Sequence, residues 1–123
     1  MNLVEIVGID HVQLAMPAGG EGEAREFYVR LLGLPEVPKP SALSSRGGAW
    51  FESGNLKVHL GVDPDFRPAR KAHPGLLVLE LGVLVQRLRC AGYEVDEFSI
   101  DGQLRAYVSD PFGNRLELVE PRS

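Results

Sequence analysis

Three histidines and one glutamate carry the chemistry this chain could perform: His11, His59, His73 and Glu117. The three are all the histidines among 123 residues. Neutral imidazole nitrogens and an anionic carboxylate suit a divalent metal, Zn²⁺, Fe²⁺, Mn²⁺, Co²⁺ or Ni²⁺. No thiolate competes, because the single cysteine, Cys90, sits in the helix-like GVLVQRLRCAG and reads as a packing residue. One cysteine also excludes an intramolecular disulfide and a cysteine-rich zinc site. Taken singly, a strand histidine is ordinarily hydrogen-bonded structure and a strand glutamate ordinarily solvated. Repetition is what makes the four a set.

Each lies in or beside a segment with the period of a half-buried strand. GIDHVQLAM (8–16) alternates Val12, Leu14 and Met16 against His11, Gln13 and Ala15. Val58 and Leu60 flank His59, Leu116 and Leu118 flank Glu117, and Leu76 and Val78 follow His73. Every candidate therefore falls on the face turned away from the side chains suited to cover a helix. The helices are AREFYVRLLG and GVLVQRLRCAG, with Gly33 and Gly92 at their ends. RGGAWFES and NLKVHLGV read as a hairpin turning at Ser53-Gly54-Asn55; YEVDEFSI and QLRAYVSD are further strands, and DPFGN turns into RLELVE. The proline-rich PEVPKP and DPDFRPARKAHP read as connectors.

The order strand, helix, strands thus occurs twice, over about 4–62 and about 73–121, with 63–72 between them. Gly54-Asn55 leads to His59 as Gly113-Asn114 leads to Glu117, with one residue gapped, so His11 corresponds to His73 and His59 to Glu117. If a pseudo-twofold axis relates the copies, the sheet faces turned from the helices curve around one cavity, where the four polar groups converge. His59 needs the gap to match; His11, His73 and Glu117 would suffice. Trp50, Phe51, Phe98 and Tyr107 lie on strands expected around the cavity and are candidates for an apolar substrate wall, with core packing the ordinary alternative. Arg67, Arg70 and Lys71 cluster in the connector just before His73, where they are candidates to meet an anionic substrate, with a solvated loop the ordinary alternative.

Length fits one compact domain, 1–123. A net charge of −4 supplies no basic field for nucleic acid or an anionic membrane. No apolar run approaches the ~18 residues of a membrane span. The opening MNLVEIVGID has none of the features of an export signal, so the expected location is the cytoplasm.

Together, GIDHVQLAM, the helix ending FYVRLLGL, AHPGLLVLE with its helix ending AGYEV, and DPFGNRLELVE resemble the vicinal oxygen chelate superfamily: glyoxalases, bleomycin and fosfomycin resistance proteins, and extradiol dioxygenases. The resemblance spans nearly the full chain. It implies an α+β fold of two βαβββ modules forming an open, curved mixed sheet around a central cavity. It also implies a divalent metal at His11, His73 and Glu117, with His59 as a possible fourth ligand, and a homodimer in which modules pair within or between chains. The activity implied is that of a metal-dependent lyase, isomerase or dioxygenase acting on a small substrate with vicinal oxygens, with Glu117 as a candidate base. Where the glyoxalase I pattern has a glutamate, this chain has His59, and it holds no spare histidine for extradiol chemistry. The alternative is a metal-free protein that sequesters a small molecule or drug.

Overall fold

The computed structural model describes residues 3–122; Met1 and Asn2 of the opening stretch, and Ser123, lie outside it. β1 (Val12–Met16) ends at Pro17, which has no N–H to donate to a ladder. A short helix, α1 (Glu21–Ala24), continues as a π-helix over Arg25–Leu31. Its wide turns close through Leu32 N–H to the Phe27 carbonyl (2.9 Å) and Leu34 N–H to the Tyr28 carbonyl (2.9 Å), with Gly33 at φ +78° as the stop. There follow β2 (Glu36–Val37), a 3-10 helix (Ser41–Arg46), β3 (Ala49–Ser53) and β4 (Leu56–Val62). The second half has β5 (Gly75–Leu77), α2 (Leu81–Cys90), β6 (Val95–Ile100), β7 (Gln103–Ser109) and β8 (Arg115–Val119).

The strands form two four-stranded mixed sheets in the same order, β1-β4-β3-β2 and β5-β8-β7-β6. In each, the first pair is parallel and the others antiparallel. This is the two-module α+β fold, with the sheets open rather than closed into a barrel. Registers confirm the internal correspondence residue by residue. Gln13, two after His11, pairs with His59; Gly75, two after His73, pairs with Glu117. Trp50 is the partner of His59 on β3, as Tyr107 is the partner of Glu117 on β7.

Alternation puts Leu14, Met16, Phe51, Val58 and Leu60 on the inner face of the first sheet, and Leu76, Ala106, Val108, Leu116 and Leu118 on that of the second. All join one buried cluster with Phe27 and Tyr28 of the first helix and Leu81, Leu84, Val85 and Leu88 of α2. The last four recur at i, i+3, i+4 and i+7, and burying each contributes about 1.5–3 kcal/mol before entropy is subtracted. The modules are also tied by polar contacts. Asp110 accepts from the Tyr28 hydroxyl (2.7 Å), and Asn114 Nδ2 donates to the Ala15 carbonyl (2.9 Å) while its Oδ1 accepts from Ala69 N–H (3.0 Å). The DPFGN turn therefore clamps β1, the first helix and the connector.

Three local expectations change. The strand in GLLVLEL stops at Leu77: Val78 still gives its N–H to the Val119 carbonyl, but the chain then turns into α2. PEVPKP holds the two-residue β2. Cys90 is exposed rather than packed, since it lies on the solvent side of α2. Among the described residues no helix is long and apolar enough to cross a membrane.

Candidate metal centre

His11 sits one residue before β1, with Nδ1 2.9 Å from Asp10 Oδ2. His73 sits two residues before β5, with Nδ1 2.8 Å from the Lys71 carbonyl. A carbonyl can only accept, so Nδ1 of His73 carries the hydrogen and Nε2 is left as the ligating atom. That Nε2 faces Glu117 Oε1 at 2.9 Å. In a neutral ring two lone pairs would oppose one another across this distance, an arrangement that a proton or a cation relieves. His11 and His73 thus share one feature, an acceptor behind Nδ1, which leaves Nε2 as the remaining ring nitrogen, the one that in His73 faces Glu117.

Glu117 is held from both sides. Its Oε2 accepts from Arg105 Nη1 at 2.6 Å, and its N–H is fixed by the Pro74 carbonyl (3.0 Å). Hydrogen bonding by Arg105, and secondly by His73, lowers its carboxyl below the ordinary glutamate range. Arg105 is itself positioned by Gln103, and its Nε is buried without a partner. Tyr107 lies edge-on to His73 at 5.5 Å and beside Phe98 at 4.7 Å, with the Arg115 guanidinium over its ring at 4.5 Å.

His59 is arranged differently. It is 4% exposed, its Nε2 is 2.8 Å from Glu52 Oε2, and its ring stacks on Trp50 (3.8 Å, parallel) and on His11 (4.6 Å). The structure therefore brings His11 to His59, and His73 to Glu117, as two pairs. Among the described residues no three potential ligands gather within one chain. By type, imidazole nitrogens with outer partners and one carboxylate are donors that suit a divalent ion.

No protein-family model and no curated protein matches the chain. Solved structures do. A glyoxalase family protein from Bacillus anthracis is 47% identical, with a TM-score of 0.92 over 98% of this chain and 100% of that one. This chain belongs to the glyoxalase family, within the vicinal oxygen chelate superfamily. Two more distant structures share the fold. The fosfomycin resistance protein FosX from Listeria monocytogenes is 15% identical with a TM-score of 0.76, covering 96% of each chain. An antibiotic binding protein from a Streptomyces species is 22% identical with a TM-score of 0.71, covering 95% of this chain and 100% of that one.

In this glyoxalase family chain one candidate leaves the site. Phe51 is fully buried and stacks on Tyr28 at 5.3 Å, so it belongs to the core. Adjacent strand residues point to opposite faces, and with Trp50 turned toward His59 its neighbour must turn inward. Trp50, Phe98 and Tyr107 stay on the faces that carry the histidines and Glu117. Glu52 and Arg105, the partners of His59 and Glu117, were not singled out from sequence. Their signal is their parity: Glu52 shares a face with Trp50, and Arg105 with Tyr107.

Proposed function

We propose that the protein is a cytoplasmic, divalent-metal-dependent enzyme acting on a small substrate with vicinal oxygens, its metal held by His11, His73 and Glu117. The observation that carries this reading is the shared outer support of the two histidines: an acceptor engages each Nδ1, and the remaining Nε2 of His73 already faces the Glu117 carboxylate. Because the two pairs stand apart in one chain, the site is completed in a homodimer. His11 of one subunit meets His73 and Glu117 of the partner subunit. Leu3, Val4, Ile6, Val7 and Ile9 support this pairing: they are 76–96% exposed, an apolar run that a second copy would cover. A bound ion would supply open positions for two substrate oxygens and stabilise the negative charge that develops on them.

The residues divide the work. His59 packs behind His11, its Nε2 committed to Glu52, and acts as a positioning residue rather than a fourth ligand. Arg105 keeps Glu117 ionised and aimed. Trp50, Phe98 and Tyr107 form the wall against which the substrate lies. Glu117 is the carboxylate placed to exchange a proton with a substrate held between the pairs. A second reading, metal-free sequestration of a small molecule, is favoured by one contact: Arg105 already satisfies Glu117 Oε2. Elemental analysis of protein purified without added metal separates them. The enzyme reading expects about one divalent ion per subunit, lost in His73→Ala; a metal-free wild type that takes up no added ion would refute it.

A further inference from the structure

The face of the first sheet that carries His59 ends in a recess of about 260 Å³, bordered by Gln13, Lys39, Arg46, Gly47, Trp50 and Gly61. Its origin lies in the register. At this end of the second module the paired residues are Arg105 and Val119. Two residues before Trp50 and two after His59, the corresponding positions are Gly48 and Gly61. Gly48 has φ +82°, and a Cβ there would run into the Leu60 carbonyl. Two side chains of the second module are thus missing from the first, where the Gln13 side chain lies over Gly61 instead, and the 3-10 helix that ends in Arg46 borders the recess.

The recess is cationic in a chain of net charge −4. No carboxylate lines it. The neighbouring acid, Glu21, directs Oε2 at Gly48 N–H (2.8 Å), and chiefly that bond, then its own N–H and the charges of Arg25 and Lys39, lowers its carboxyl. Lys39 donates to the Gly47 carbonyl, which does not neutralise its charge. Arg46 has no ion-pair partner among the described residues, whereas Arg25, Arg89 and Arg105 are each paired with a glutamate. Trp50 borders the recess and also stacks on His59, which stacks on His11, so one ring links the recess to the two histidines.

We propose that this recess binds the anionic group of the substrate, a carboxylate, phosphonate or phosphate on a short carbon chain, through Arg46 and Lys39, with the Gln13 amide beside them. Its volume lies below the roughly 300–1,000 Å³ of sites for drug-sized ligands, which suits a small acid. As a substrate subsite it rests on the reading above; as an anion site it stands alone, and it is tested on metal-stripped protein.

Trp50 is the only tryptophan, so its emission reports on the recess. Full-length protein would be titrated with acetate, methylphosphonate and inorganic phosphate at constant ionic strength, by fluorescence and by calorimetry. The expected result is saturable binding of at least one anion, whose identity names the group. Arg46→Met with Lys39→Met should weaken it at least about tenfold, equivalent to about 1.4 kcal/mol. Arg67→Gln with Arg70→Gln, which removes the same charge from the connector, should change it by less than about twofold. Arg46→Met alone removes an exposed side chain, so it should melt like the wild type and still bind weakly. Absence of saturable binding by both methods, or equal losses in the two double variants, overturns the proposal. Metal-loaded protein that binds none of the anions defeats the recess and spares the metal reading; protein that binds an anion but never a metal does the reverse.

Discussion

Glu117→Gln probes the more fully assembled half of the centre. The carboxylate side chain is 13% exposed, Arg105 25% and His73 23%, so solvent screens their interactions only in part. Charge-assisted hydrogen bonds contribute about 1.5–3 kcal/mol each. The amide keeps the shape, its oxygen can still accept from Arg105 and its NH₂ can donate to the Nε2 lone pair of His73, but the charge that strengthens the Arg105 bond is gone. The expected loss in metal-free protein is the difference between a charge-assisted and a neutral bond, about 0.5–2 kcal/mol, or about 2–8 °C in Tm for a chain of this size. Added metal should then separate the proteins further. At 100-fold over its Kd an ion stabilises the wild type by about 2.7 kcal/mol, and the variant should gain far less. The acid limb supplies a third readout. Glu117 titrates lower in the folded than in the unfolded chain, so its contribution is complete above the ordinary glutamate range and vanishes as pH falls through the lowered folded value. The variant should lack that part of the acid slope. Calorimetric melts of chelator-treated proteins, with and without Zn²⁺ or Mn²⁺ and over about pH 3 to 7, measure all three. A variant that matches the wild type without metal and shows the same metal-dependent shift would refute the reasoning.

Tyr28→Phe removes the hydroxyl that donates 2.7 Å to Asp110 between two buried side chains, and should cost about 1.5–3 kcal/mol in urea unfolding. A loss below about 0.5 kcal/mol would contradict the clamp assigned to the DPFGN turn. Gly48→Ala should be clearly more destabilising than Gly54→Ala. Both have positive φ, but only the first meets backbone, so about 1 kcal/mol at Gly54 contrasts with about 2 kcal/mol or more at Gly48. Equal costs by chemical denaturation would count against the close packing described at Leu60.

Alternation and turn chemistry located most elements, because both modules have one wet face and one dry one. His11, His59 and Glu117 fall on the face away from the helices by parity alone, and the Gly54-Asn55 and Gly113-Asn114 turns fix the registers that align the two copies. Parity also excludes Phe51 once Trp50 is placed. What sequence could not supply was distance across strands. Glu52 reaches His59, and Arg105 reaches Glu117, only because hairpin pairing makes neighbours of residues seven and twelve positions apart. The division into two pairs depends on how whole modules sit, which no local pattern encodes. β2 is too short, and too close to prolines, to leave a period.

The pairing of half-sites between subunits has a direct test in complementation. His11→Ala and Glu117→Ala each spoil a different half, so a homodimer of either should bind no metal, while a mixed dimer keeps one intact site. After the two purified variants are unfolded together, refolded and dialysed, bound metal should return to about a quarter of the wild-type content, since half the dimers are mixed and each carries one good site of two. Metal content that stays at the background of the separate variants would contradict the shared centre.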